Sequence, residues 1–127
     1  RHRDNPRLYC STKMGYFERS VKEEYANTVR QTCAEAFVDP VKMMRALKHS
    51  MWLLQKDVID IFNIHEPDWP QWQIDYETAS GAAIEFLLEA KKEGLVRSVG
   101  FGGWDYHGLA RLVKSGKFDF VLPAGGG

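Results

Sequence analysis

Long apolar runs are missing from this 127-residue chain, and a membrane-spanning helix needs about 20 consecutive apolar residues. No membrane association is therefore expected. Cysteine is scarce: Cys10 and Cys33 are the only two. They are too few for a thiolate zinc or iron–sulfur site and too far apart for a CxxC redox pair. Counting leaves a disulfide open, but two reduced thiols in a cytoplasmic chain are the simpler expectation. An excess of one charge is missing too, since 17 Lys plus Arg offset 17 Asp plus Glu. No global field draws nucleic acid or an anionic surface. The opening RHRDNPR leads into no apolar signal-peptide core, and the lack of an initial Met raises truncation or processing as an expectation. With 44% hydrophobic and 27% charged residues, the composition is that of a globular domain rather than a disordered chain.

What is present falls into alternating segments. Leu8 to Thr12 reads as a short strand delivering Lys13 to a loop. Residues 14–38 mix aromatic, charged and small side chains and read as an irregular or helical insertion, with a helix around Val21 to Phe37. At Asp39 the pattern sharpens: Asp39 suits an N-cap, Pro40 the first helical position, and Val41, Met44, Leu47, Met51 and Leu54 recur through Gln55. Val58 to Ile64 concentrates β-branched and aromatic residues as a strand does, and ends at His65 and the polar Glu66, Pro67 and Asp68. Thr78 to Glu93 resumes the helical period with Ala79, Ala82, Ala83, Phe86, Leu87 and Ala90 inside, and Gly94 stops it. Leu95 to Phe101 reads as a strand, Asp105 to Gly116 as a capped short helix, Phe118 to Leu122 as a last strand, and 123–127 as a flexible Gly-rich end. Strands separated by helices long enough to carry the chain back across a sheet make a parallel α/β domain, single over 1–127.

Several groups invite chemistry and have a plainer explanation. Glu66, Asp68, Asp75 and Glu77 near His65 read as solvated or capping turn acids, and no metal is expected. Met43, Met44 and Met51 have the spacing of core residues. Tyr106 and His107 stand where local helix capping accounts for them. Gly100, Gly102 and Gly103 lack the spacing of a dinucleotide fingerprint. Trp69, Trp72 and Trp104 follow two strands on the same end of the sheet, where their rings either line an opening or cap it.

Taken in order, Thr12–Lys13, KHSMWLLQKDVIDIFNIHEPD (48–68), KKEGLVRSVGF (91–101) and GKFDFV (116–121) resemble the aldo-keto reductase superfamily over about residues 8–122. The resemblance implies a partial (β/α)8 TIM barrel, its third to sixth strands with intervening helices, where a closed barrel takes roughly 250 residues. It implies NAD(P)H-dependent reduction of aldehydes or ketones to alcohols, with NADP(H) or, less often, NAD(H) as cofactor and a small carbonyl or alcohol as substrate. Lys13 and His65 then correspond to two of the family's catalytic Asp, Tyr, Lys and His. Lys13 sits near the catalytic tyrosine, and His65 orients the substrate oxygen. The Asp and Tyr come from segments before the TK strand, and only seven residues precede Leu8, so Tyr9, Tyr16 and Tyr25 receive no such role. Where the family commonly uses Ser and Asn to hold the nicotinamide amide, Gly102 and Gly103 stand, permitting close backbone approach only. Trp69, Trp72 and Trp104 are the substrate-contact candidates. So read, the chain is a fragment of a reductase, inactive in isolation. The alternative is a noncatalytic reductase-derived interaction module or complementing subunit, which self-associates or docks through open sheet edges.

Overall fold

A computed structural model describes residues 10–14 and 36–123. Among these residues the elements are β1 (Ser11–Met14), α1 (Pro40–Leu54), β2 (Ile59–His65), a 3-10 turn (Pro70–Trp72), α2 (Ala82–Lys92), β3 (Val96–Gly103), α3 (Tyr106–Lys114) and β4 (Phe120–Pro123). The strands pair in parallel in the order β1-β2-β3-β4. Chain order and spatial order coincide, which makes the sheet an arc of a (β/α)8 barrel. Most of the expected 14–38 insertion, Cys33, Tyr9, Tyr16, Tyr25 and the glycines of the 123–127 end lie outside the described residues.

Local chemistry explains most element ends. The Asp39 carboxylate accepts the Val41 N–H at 2.9 Å, Pro40 opens α1, and Gln55 closes it in the left-handed region at φ 54°. The buried face of α1 is Met43 and Leu47, however, and Val41 is 69% exposed. Of the expected stripe, Leu47 is buried and Met44, Met51 and Leu54 pack partly buried against the core, so Val41 alone falls outside it. Met43, one turn before Leu47, completes the buried face. α2 starts at Ala82 rather than Thr78. Asp75 accepts the Glu77 and Thr78 N–H groups at 2.9 and 3.2 Å, and Asp75 and Ser80 exchange backbone bonds, so a tight turn takes up the expected first helical turn. Gly94, at φ 82°, ends α2 as its position suggested.

Registered pairs assign the two sheet faces. Phe62 with Val99 and Ile64 with Phe101, joined by Met14, meet the helix residues Met43, Leu47, Ile84, Leu87, Leu109 and Leu112 in the core. The opposite face carries Lys13, Asn63 and Gly100 in one row and His65 beside Gly102 in the next. Gly100 is required there, since a Cβ would collide with the Phe120 carbonyl and ring. The strands also run further than expected. Lys13 lies inside β1, His65 inside β2, and Gly102 and Gly103 inside β3, because pairing continues through Met14 with Ile64, His65 with Gly102 and Gly103 with Pro123. At the opposite end of the sheet Asp60 accepts the Cys10 N–H at 2.9 Å and pairs with Arg97 at 3.2 Å. Cys10 keeps a free thiol. No helix among the described residues is long and apolar enough to cross a membrane.

Candidate active site at the carboxyl ends of the strands

Three adjacent strands bring Lys13, His65, Gly102 and Gly103 to one end of the sheet. Lys13 and His65 share a face one step apart in the register, Lys13 exposed and His65 half-buried. Burial holds the His65 pKa below its usual value. The Lys13 ammonium lowers it further, and the Glu66 carboxylate opposes the shift. His65 is therefore a neutral imidazole at neutral pH, able to donate one hydrogen bond and accept another.

The tryptophans divide by role. Trp72, expected at the opening, is fully buried. Its ring packs on Phe37 with centroids 4.4 Å apart, and its indole N–H donates to the His65 carbonyl at 3.0 Å. It braces His65 from behind, because a ring closed in by the core has no face left for a substrate. Trp69 is half-buried and meets the His65 ring edge-on at 5.3 Å. Trp104, just past β3, is 64% exposed.

Space at the two glycines is already taken. A Cβ at Gly102 would lie 3.0 Å from the Leu122 carbonyl oxygen, and one at Gly103 would lie 3.0 Å from Glu66 Oε2. Glu66 is the residue that sequence reasoning missed. Grouped with solvated turn acids, it is instead 8% exposed. Its N–H donates to the Gly102 carbonyl at 2.8 Å, its own carbonyl accepts the Trp69 N–H at 3.0 Å, and its backbone is left-handed at φ 52°. The available signal was an acid directly after a strand-end His, in a chain whose next strand ends in two residues without side chains. The other three acids are exposed. Asp75 has its carboxyl held below the usual range by the Thr78 and Glu77 N–H groups. No group of three His, Cys, Asp or Glu side chains that could hold a metal occurs among the described residues. Tyr76 is a poor proton donor: burial, then Asp68 and Asp105, push its phenol up.

The sequence profile of the Aldo/keto reductase family matches residues 2–124. The chain belongs to the aldo/keto reductase family. Methylglyoxal reductase DkgA of Escherichia coli strain K12 is 35% identical over 75 residues, which are 59% of this chain and 25% of that protein. D-threo-aldose 1-dehydrogenase of a Pseudomonas species is 28% identical over 80 residues, 63% of this chain and 23% of that one. The chain thus spans about a quarter of these relatives' length. Among solved structures, Gox0644 in its apo form aligns with a TM-score of 0.56 at 25% identity, covering 94% of this chain and 34% of its own. An aldo-keto reductase of the silkworm Bombyx mori aligns with a TM-score of 0.52 at 17% identity, covering 92% and 30%.

Within this aldo/keto reductase arc, the described residues supply a cation, a neutral imidazole and a bare backbone ledge side by side. The ledge suits a flat ring: Gly102 and Gly103 project nothing, and a buried carboxylate lies against them.

Proposed function

We propose that this aldo/keto reductase chain contributes Lys13 and His65 to hydride transfer between NADP(H), or NAD(H), and a small aldehyde, ketone or alcohol. The observation that carries the reading is the electrostatic reach of Lys13 to His65 at the carboxyl ends of adjacent strands, the end of a barrel where chemistry is assembled. The bound cofactor supplies or receives the hydride. His65, kept neutral, directs an N–H at the carbonyl oxygen and so orients it. Lys13 stabilises the negative charge that grows on that oxygen and favours proton transfer from a neighbouring acid. Trp69 and Trp104 flank the opening as substrate contacts. Cys10's free thiol suits a cytoplasmic setting.

The family's Asp and Tyr have no counterpart assigned among the described residues, so the isolated 127-residue chain is expected to show little turnover. The intact polypeptide containing it is expected to oxidise NADPH or NADH with small carbonyls. Methylglyoxal, the substrate in DkgA's name, is the first to try. In that protein, Lys13→Met and His65→Leu should each lower kcat on the order of 100-fold. Wild-type rates in both variants would remove the assignment.

A second reading is favoured by the outer edges of β1 and β4, which pair on one side only among the described residues. Open edges recruit further strands, so a complementing barrel portion or a second copy is the occupant. Sedimentation showing a compact monomer across a wide concentration range would eliminate it.

A further inference from the structure

Glu66 combines three features. It is 8% exposed. Among the described residues no side-chain hydrogen bond or ion pair reaches its carboxylate, and its oxygens are not among the buried unpartnered atoms, so they stay open to solvent and to a ligand. Its φ of 52° lies in the left-handed region, which a residue with a β-carbon rarely adopts. Gln55, Gln73 and Ala79 share this conformation, and what sets Glu66 apart is that its left-handed backbone comes with burial at the strand end where Lys13 and His65 stand.

The position of the carboxylate narrows what it receives. An ideal Cβ at Gly103 would lie 3.0 Å from Glu66 Oε2 and 3.3 Å from its carboxyl carbon, so the carboxylate occupies the volume that a Gly103 side chain would fill. It stands one residue from His65, with its N–H tied to the Gly102 carbonyl at 2.8 Å. An ionised carboxylate accepts hydrogen bonds and donates none. Of the two ligands that the proposed reductase function brings to this end of the sheet, the substrate in the reductive direction presents a carbonyl oxygen, an acceptor that a carboxylate repels. The nicotinamide presents a carboxamide whose NH2 is a donor pair.

We propose that the Glu66 carboxylate accepts the carboxamide N–H of the nicotinamide, taking the place of side chains that Gly102 and Gly103 do not supply. The assignment rests on the reductase reading and adds a residue to it. It makes Glu66 a cofactor-orienting group that fixes which way the ring lies on the glycine ledge, and it explains the burial, the strain and the missing partner together.

The test is a binding titration of the intact polypeptide, followed by quenching of tryptophan fluorescence. The probes are NADP+ and NAD+ and the 3-acetylpyridine analogue of each, in which a methyl group replaces the amide NH2. Wild type is expected to bind the natural dinucleotide on the order of 10- to 100-fold more tightly than its analogue, the worth of one hydrogen bond to a charged group. Glu66→Ala should lose most of that preference while holding the analogue nearly as well as wild type does. Glu66→Gln, which keeps one neutral acceptor, should retain part of the preference, and it serves as the folded control if the alanine variant misfolds. Wild type that binds the dinucleotide without preferring it over the analogue overturns the assignment alone, as does a full preference in Glu66→Ala. Failure of wild type to bind any of the four overturns the reductase reading and the assignment together.

Discussion

Asp60 and Glu66 stand at opposite ends of one strand, the first just inside β2 and the second just beyond it, and each is 8% exposed. Asp60 holds the Cys10 N–H at 2.9 Å and Arg97 at 3.2 Å. Glu66 has a comparable depth of burial, a left-handed backbone and no such partners among the described residues. Burial therefore does not distinguish them, but satisfaction does. The carboxylate at the amino end of the sheet is completed by protein groups and ties β1, β2 and β3 together. The one at the carboxyl end has no such completion among the described residues. In a βα barrel this is the expected division, with stability at one rim and chemistry at the other.

The contrast can be broken or sharpened by substitution. The largest effect is expected from Trp72→Ala, which empties a fully buried ring site and releases the His65 carbonyl. A loss of about 3–5 kcal/mol in urea unfolding is predicted, and a loss below about 1 kcal/mol would place the ring outside the core. Next comes Asp60→Ala, which strands the Cys10 N–H and should lower stability by about 1–3 kcal/mol. Arg97→Ala should cost much less, because the Arg97 side chain is 69% exposed and water screens its pairing. Comparing the two variants separates the backbone bond of Asp60 from its ion pair.

The smallest effects are those of pH. The folded pKa of His65 lies below its unfolded value of 6.5, so the folded state binds fewer protons as pH falls through that window. Its contribution is fully present above 6.5 and is lost as pH falls through the folded pKa. His65→Gln should flatten the stability profile between about pH 7 and pH 5, and an unchanged slope would refute the shift. Asp119 behaves alike at lower pH. Burial pushes its carboxyl up, but the Lys91 ammonium at 2.9 Å and the Val99 N–H at 2.8 Å outweigh burial and leave the pKa below 3.8. That contribution is present above 3.8 and disappears as pH falls through the folded value, so Lys91→Met should reduce the acid sensitivity below about pH 4.

Much of the fold was legible because its signals are local. Asp39 and Pro40 start α1, Gly94 closes α2, Asp105 accepts the Gly108 N–H at 3.1 Å to cap α3, and the β-branched run of β2 lies within a residue of where its composition puts it. Errors entered where a distant neighbour decides. Val41 fits an apolar stripe in sequence, yet it is exposed while Leu47 of the same stripe and Met43 are buried. Thr78 fits a helical period, yet Asp75 draws its N–H into a turn. Lys13 and His65 were found through the family pattern and sit side by side. The burial of Trp72 was not readable, and that of Glu66 had only the faint signal of an acid after a strand-end His in a chain whose next strand ends in two glycines. A tryptophan in a proline-rich loop carries no mark of burial, and what buries Glu66 is the absence of a side chain at Gly103 on the next strand.

The central claim is that Asp60 is completed by the protein and Glu66 is kept incomplete for a ligand. Urea unfolding of Asp60→Asn and Glu66→Gln, without cofactor and under identical conditions, tests it most directly. The account predicts unequal effects: Asp60→Asn lowers stability by about 1–2 kcal/mol, while Glu66→Gln, at a carboxylate that no protein group completes, stays within about 0.5 kcal/mol of wild type. If Glu66→Gln destabilises as much as Asp60→Asn, Glu66 is a structural carboxylate like its counterpart, and the claim is contradicted.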